Sequence, residues 1–101
     1  MKWLVEAKEI THSGEPISRL VSDQEIQKKS AVLRYLSDAK KVVAAAPGIL
    51  RDLLNGERVQ GEWFLMQDDH YAWDTRIVYY FDKYNLKLPD DFIQYVLGEV
   101  T

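Results

Sequence analysis

Ten of the twelve aromatic side chains of this chain fall between residues 62 and 97, in the run EWFLMQDDHYAWDTRIVYYFDKYNLKLPDDFIQYVL. Aromatic rings carry the largest apolar surfaces a core can bury, and they pack edge-on or offset against one another. A core for this chain is therefore built around that run, with the preceding sixty residues as the platform it packs against. At 101 residues, there is room for one domain and one such core.

Charge divides the chain at the same place. Residues 1–61 hold ten Lys and Arg against eight Asp and Glu, whereas residues 62–101 hold three against eight. An acidic half repels phosphate backbones, so no nucleic acid is expected as a partner. A basic protein meeting the C-terminal half fits the charge better, although an acidic surface also serves solubility alone. Cysteine is absent, which rules out disulfides and thiolate zinc sites. The start, MKWLVEAKEI, has charges too early for a signal peptide, and no apolar run reaches membrane-spanning length. The expectation is a cytoplasmic protein with no membrane contact.

Residues 2–10 alternate loosely and predict a strand, with THSGEP as a turn and Ile17 to Val21 as a short return strand. Ser22-Asp23-Gln24-Glu25 spells a capping box, since a serine hydroxyl and a glutamate three residues on can satisfy each other's free amides. It predicts a helix over about 23–38. Val42 to Ala46 is either a buried strand or an alanine-rich helical turn. For 49–58, Asn55-Gly56 favours a hairpin slightly over a short helix opening at Pro47 and closed by Gly56.

The second half is more explicit. Val59 to Gln67 predicts a central strand, Asp68-Asp69-His70 a tight turn, and Tyr71 to Trp73 a further strand. Asp74 suits the cap of a helix over 75–85, and Asn85 suits its left-handed close. Pro89-Asp90-Asp91 opens a last helix whose buried side is Phe92, Ile93, Val96 and Leu97, with Gly98 as its end.

Nothing spells a cofactor loop or a nucleophile elbow. Asp68, Asp69, His70 and Asp74 form the densest polar cluster and could hold a divalent cation. A hairpin turn and a helix cap account for the same four residues without one. The core stripe of the 75–85 helix uses Tyr80, Phe81 and Tyr84, leaving Tyr79 without an obvious buried place, and Tyr95 likewise. Surplus tyrosines beside carboxylates have the composition of a protein interface, and also of half-exposed rings with wet hydroxyls.

Asp52-x-x-x-Gly56, Asp68-Asp69-x-Tyr71-x-Trp73-Asp74, Tyr79-Tyr80, Tyr84 and Leu88-Pro89-x-x-Phe92 together resemble a pattern in small bacterial proteins. Their C-terminal halves run D-G-x-x-x-W, YY, Y and LP-x-x-F in that order. The resemblance spans residues 48–97, and Asp69 stands where the pattern has glycine. In size and acidity the chain is similar to immunity proteins encoded beside polymorphic and contact-dependent inhibition toxins. That resemblance implies a stoichiometric inhibitor with no catalytic residues and no cofactor.

The expectation is thus a single α+β domain, a small antiparallel sheet of about four strands with about three helices packed on it. Its expected role is non-catalytic neutralisation of a basic, nuclease-type toxin through Asp68, Asp69, Asp74, Tyr79, Asp82, Asp90 and Asp91. Two rivals stand beside it: a metal-dependent hydrolase using Asp68, Asp69 and His70, and a homo-oligomer that buries Tyr79 and Tyr95.

Overall fold

The computed structural model describes residues 2–46, 48 and 50–100, apart from the side chains of Ala39, Glu99 and Val100. Six strands and four α-helices are arranged as an α+β fold. The strands are β1 (Lys2–Trp3), β2 (Val42–Ala46), β3 (Leu50–Arg51), β4 (Arg58–Val59), β5 (Trp63–Gln67) and β6 (Tyr71–Asp74). The helices are α1 (Lys8–Thr11), α2 (Lys29–Leu36), α3 (Arg76–Tyr84) and α4 (Asp90–Val100).

One sheet has the order β1-β6-β5-β2, and β3 and β4 form a separate hairpin. The β5–β6 and β5–β2 pairs are antiparallel, and β5 is central as expected. The sheet is mixed, not purely antiparallel, because Lys2 and Trp3 pair in parallel with Tyr71 and Ala72. The segment 42–46 is a strand, but an exposed one at the sheet's edge and not the buried one expected, and its register slips between Val42 and Ala44 at a bulge.

The core joins the two halves. Trp73, Ile77, Tyr80, Phe81, Phe92 and Val96 pack with Leu4, Ala7, Ile17, Val32 and Leu36, all nearly or fully buried. Phe92 sits in a ring of aromatics, edge-on to Tyr35, Tyr71 and Trp73 at centroid separations of 5.7, 5.5 and 6.3 Å. The Trp73 indole N–H is buried too, and donates to the Leu36 carbonyl at 3.1 Å. That bond satisfies the last polar atom of a ring otherwise fully apolar in its contacts.

The first half departs from its expected elements. Strand geometry stops at Trp3, and residues 8–11 turn into α1, closed by His12 at φ 62°. Ile17–Arg19 is a 3₁₀ turn, not a return strand. Its continuation runs instead along the link between α3 and α4, where the Ser22 amide donates to the Tyr84 carbonyl and the Lys87 amide to that of Leu20. The capping box goes unused as a helix start: Ser22 Oγ accepts from the Gln24 amide, and the helix begins only at Lys29. Lys28 takes a left-handed φ of 57°, and Lys29 Nζ donates to the Asp82 carbonyl and to Asn85 Oδ1, both at 2.7 Å. A tertiary tether thus sets where α2 starts.

The hairpin at 50–59 forms, but its loop is wider than a two-residue Asn-Gly turn. Residues 52–57 contain one helical turn closed by the Gly56 amide on the Asp52 carbonyl, with Gly56 at φ 78°. Each alternative thus holds part of the outcome; Pro47, where the rival helix would open, lies outside the described residues. At the other end of the chain, α4 runs through Gly98 to Val100.

Candidate functional site

The carboxylates define the chemistry of the surface, and several of them are committed internally. Asp52 begins the loop between β3 and β4 and is fully buried. Its Oδ1 accepts from the Leu54 and Asn55 amides at 2.8 and 3.2 Å, while Oδ2 accepts the Tyr79 and Tyr84 hydroxyls at 2.6 and 2.7 Å. Lys83 Nζ lies 3.8 Å away. Burial opposes the charge, but the tyrosine hydroxyls and loop amides outweigh it and hold Asp52 below its ordinary value. Burial and the same contact push the Tyr79 hydroxyl up to about 12. Asp52 therefore fastens the β3–β4 hairpin to α3.

Asp68 does the same at the turn from β5 to β6. Its Oδ1 accepts from the His70 and Tyr71 amides at 2.8 and 2.6 Å, and Oδ2 from the Tyr35 hydroxyl at 2.7 Å. Burial and then the Asp68 bond raise the Tyr35 hydroxyl well above its usual range.

Asp74, at the far end of β6, is 7% exposed. Its Oδ1 accepts from the Arg76 amide at 2.8 Å and Oδ2 from Arg76 Nη1 at 2.9 Å. It thus stabilises the start of α3 from one residue outside the cap, which is Thr75.

The structure places each member of the expected contact set. Asp74 is buried in an ion pair, and both oxygens of Asp68 are engaged within the fold. Tyr79 and Tyr95 are half-buried and not free: Tyr95 stands edge-on to Tyr35 and His70, and Tyr79 is held by Asp52. Asp69, Asp90 and Asp91 are exposed, the first at the β5–β6 turn and the others at the start of α4. Among the described residues, no group of three or more His, Asp or Glu side chains is placed to hold a metal ion.

Tyr79 and Asp82 do come together, on a groove of about 610 Å³. Leu33 of α2, Trp63 and Phe64 of β5, and Val78 of α3 form its apolar walls; Glu62 and Asp82 are exposed at its rim. No lining residue is cationic. Neither rim carboxylate has an ion-pair partner among the described residues. The local sequence explains the groove. Phe64 and Met66 share one face of β5, and Met66 is buried while Phe64 is left half-covered at the groove.

Glu62, Trp63, Phe64, Val78 and Leu33 were not among the expected contact residues. For Glu62, Trp63 and Phe64 the only signal was that both faces of residues 62–66 carry large apolar groups, which reads equally as a buried strand. Comparison with protein-family models, curated proteins and solved structures gave no match. No helix among the described residues is long and apolar enough to cross a membrane.

Proposed function

We propose that this chain is a non-catalytic binding protein which seats a cationic, amphipathic segment of a protein partner in the groove between α2, β5 and α3. The observation that carries this reading is the pairing of an apolar trough with two unpaired carboxylates and no cation. Apolar side chains of the partner would bury against Leu33, Phe64 and Val78, and a lysine or arginine at each end would meet Glu62 and Asp82. The excess of acid over base in residues 62–101 would draw such a partner in, while the apolar contact would slow its release.

The resemblance to immunity proteins supplies the class of partner: a basic toxin domain, most simply a nuclease, neutralised in the cytoplasm of the cell that makes it. A cleft that holds phosphate is positive, so an acidic rim competes for it directly. The test uses a basic nuclease domain of the toxin class as purified partner. Wild-type protein should bind and inhibit it with an association rate that falls as salt rises. Glu62→Lys with Asp82→Lys should slow association about tenfold and flatten the salt dependence while circular dichroism stays unchanged. Equal rates and equal salt slopes for variant and wild type would remove the groove from the account.

A further inference from the structure

The exposed edge of the four-stranded sheet, next to the groove that Val42 and Glu62 help to line, points to an interaction of a different kind. β2 is one edge of that sheet, and the opposite edge is the two-residue β1. Over its five residues, VVAAA, β2 has no charge and no proline, and Val42 and Val43 are 41% and 60% exposed. No hydrogen bond to its outward backbone groups is made by any described residue. Soluble proteins protect such edges with lysine, proline, an inward charge or a covering segment. Among the described residues, β2 carries one such device, a bulge between Val42 and Ala44 that leaves residues 44–46 regularly paired with residues 63–65, and Lys41 stands just before the strand.

We propose that β2 pairs antiparallel with β2 of a second copy across a two-fold axis at Ala44, joining two four-stranded sheets into one of eight strands. Three features of the strand select a copy of itself. First, its bulk is graded, with valines at 42 and 43 and alanines at 45 and 46. Antiparallel self-pairing sets Val43 opposite Ala45 and Val42 opposite Ala46, large against small on both sides of the axis. Parallel pairing would set valine on valine.

Second, its flanks are complementary in charge. Lys40 is exposed just before the strand, and Glu62 is exposed beside its far end, next to the Trp63 that pairs with Ala46. The two-fold axis brings Lys40 of each copy toward Glu62 of the other. Third, small side chains at 44–46 leave nothing to obstruct an approaching backbone. Two-fold contacts of this kind use one patch twice, so every favourable feature counts double.

The chain contains no cysteine, so a single introduced one reports the geometry cleanly. With Ala44 on the axis, directly opposed Cβ atoms lie about 4.5–5.5 Å apart, within slight adjustment of disulfide reach. Ala44→Cys should give a disulfide-linked dimer within minutes under mild oxidation, whereas cysteine at exposed Asp69 should not. Light scattering coupled to size exclusion should give twice the 11.8 kDa chain mass for wild type at high concentration.

Ala44→Lys places two like charges against each other on the axis and should raise the dissociation constant about tenfold or more. Its circular dichroism and melting temperature at low concentration should match wild type, because Ala44 is exposed. Exchanging the charges (Lys40→Glu with Glu62→Lys) should restore what Lys40→Glu alone weakens. A wild-type monomer at every attainable concentration overturns the proposal. So does a dimer that ignores Ala44→Lys and fails to cross-link through Ala44→Cys, since that places the contact elsewhere. Because Glu62 serves both surfaces, Ala44→Lys separates them: it should dissolve the dimer and leave toxin binding in place.

Discussion

Two turns of this protein are closed by the same device, and the contrast between them shows what burial adds to it. At Asp52 and at Asp68, a carboxylate at the head of a loop takes two backbone amides on one oxygen and tyrosine hydroxyl on the other. Both clamps fasten a β-hairpin to a helix, α3 in the first case and α2 in the second. They differ in setting. Asp52 is wholly enclosed, holds two tyrosines and has Lys83 nearby; Asp68 is half-buried and holds one. A two-strand hairpin such as β3–β4 has little stability of its own, so it depends on its clamp. The β5–β6 turn joins strands already set in the main sheet and depends on its clamp less.

That contrast is open to attack in order of size. Asp52→Ala strips four hydrogen bonds from a buried site and should cost about 3 kcal/mol in urea unfolding. Asp68→Ala should cost about 1 kcal/mol, since water can replace the lost acceptor at a half-exposed turn. Equal losses for the two would mean that burial does not distinguish the clamps. Smaller still is the share of a single tyrosine. Tyr79→Phe should cost about 1 kcal/mol in wild type and almost nothing in the Asp52→Ala background, a coupling that a double-mutant cycle measures directly.

The pH dependence is the finest test. The folded-state value of Asp52 lies below its ordinary 3.8, so its contribution is complete above that pH and disappears as pH falls through the lower folded value. Tyr79 shifts the opposite way, from 10.0 to about 12, so its contribution is complete below pH 10 and declines as pH rises toward 12. Urea midpoints followed across pH should therefore show both an acid and an alkaline limb, and Asp52→Asn should flatten the acid one.

How much of this could be read in advance depends on whether a residue's structural partner lies near it in the chain. Both ends of α3 and the start of α4 were legible because Asp74, Asn85 and Pro89 act within a few residues, and Asn85 does take φ 56°. The Asp68 turn was legible for the same reason, and so was the α+β class. The first thirty residues were not: Leu4, Val5, Ala7 and Ile17 are buried one by one wherever the second half offers a gap, without strand or helix period. The Ser22 box spells a helix that Lys29 postpones by binding Asn85, 56 positions away. Gly98 looked like a stop because glycine weakens a helix interior, yet nothing at its backbone requires a break. At the candidate site, Tyr79 and Asp82 were foreseeable as helix surface. The groove beside them was not, because its walls come from α2, β5 and α3, which lie far apart in the chain.

Lys2 and Trp3 make their sheet contacts with residues 71 and 72, almost seventy positions later. A growing polypeptide cannot satisfy that contact until residues 71 and 72 have been synthesised. The Val32 and Leu36 surface waits longer still, for Phe92 and Val96. Residues 2–4 thus stay without their sheet partner until residues 71 and 72 have emerged. Closure of the sheet at β1 should then come late, because contacts of such long sequence separation form after local ones.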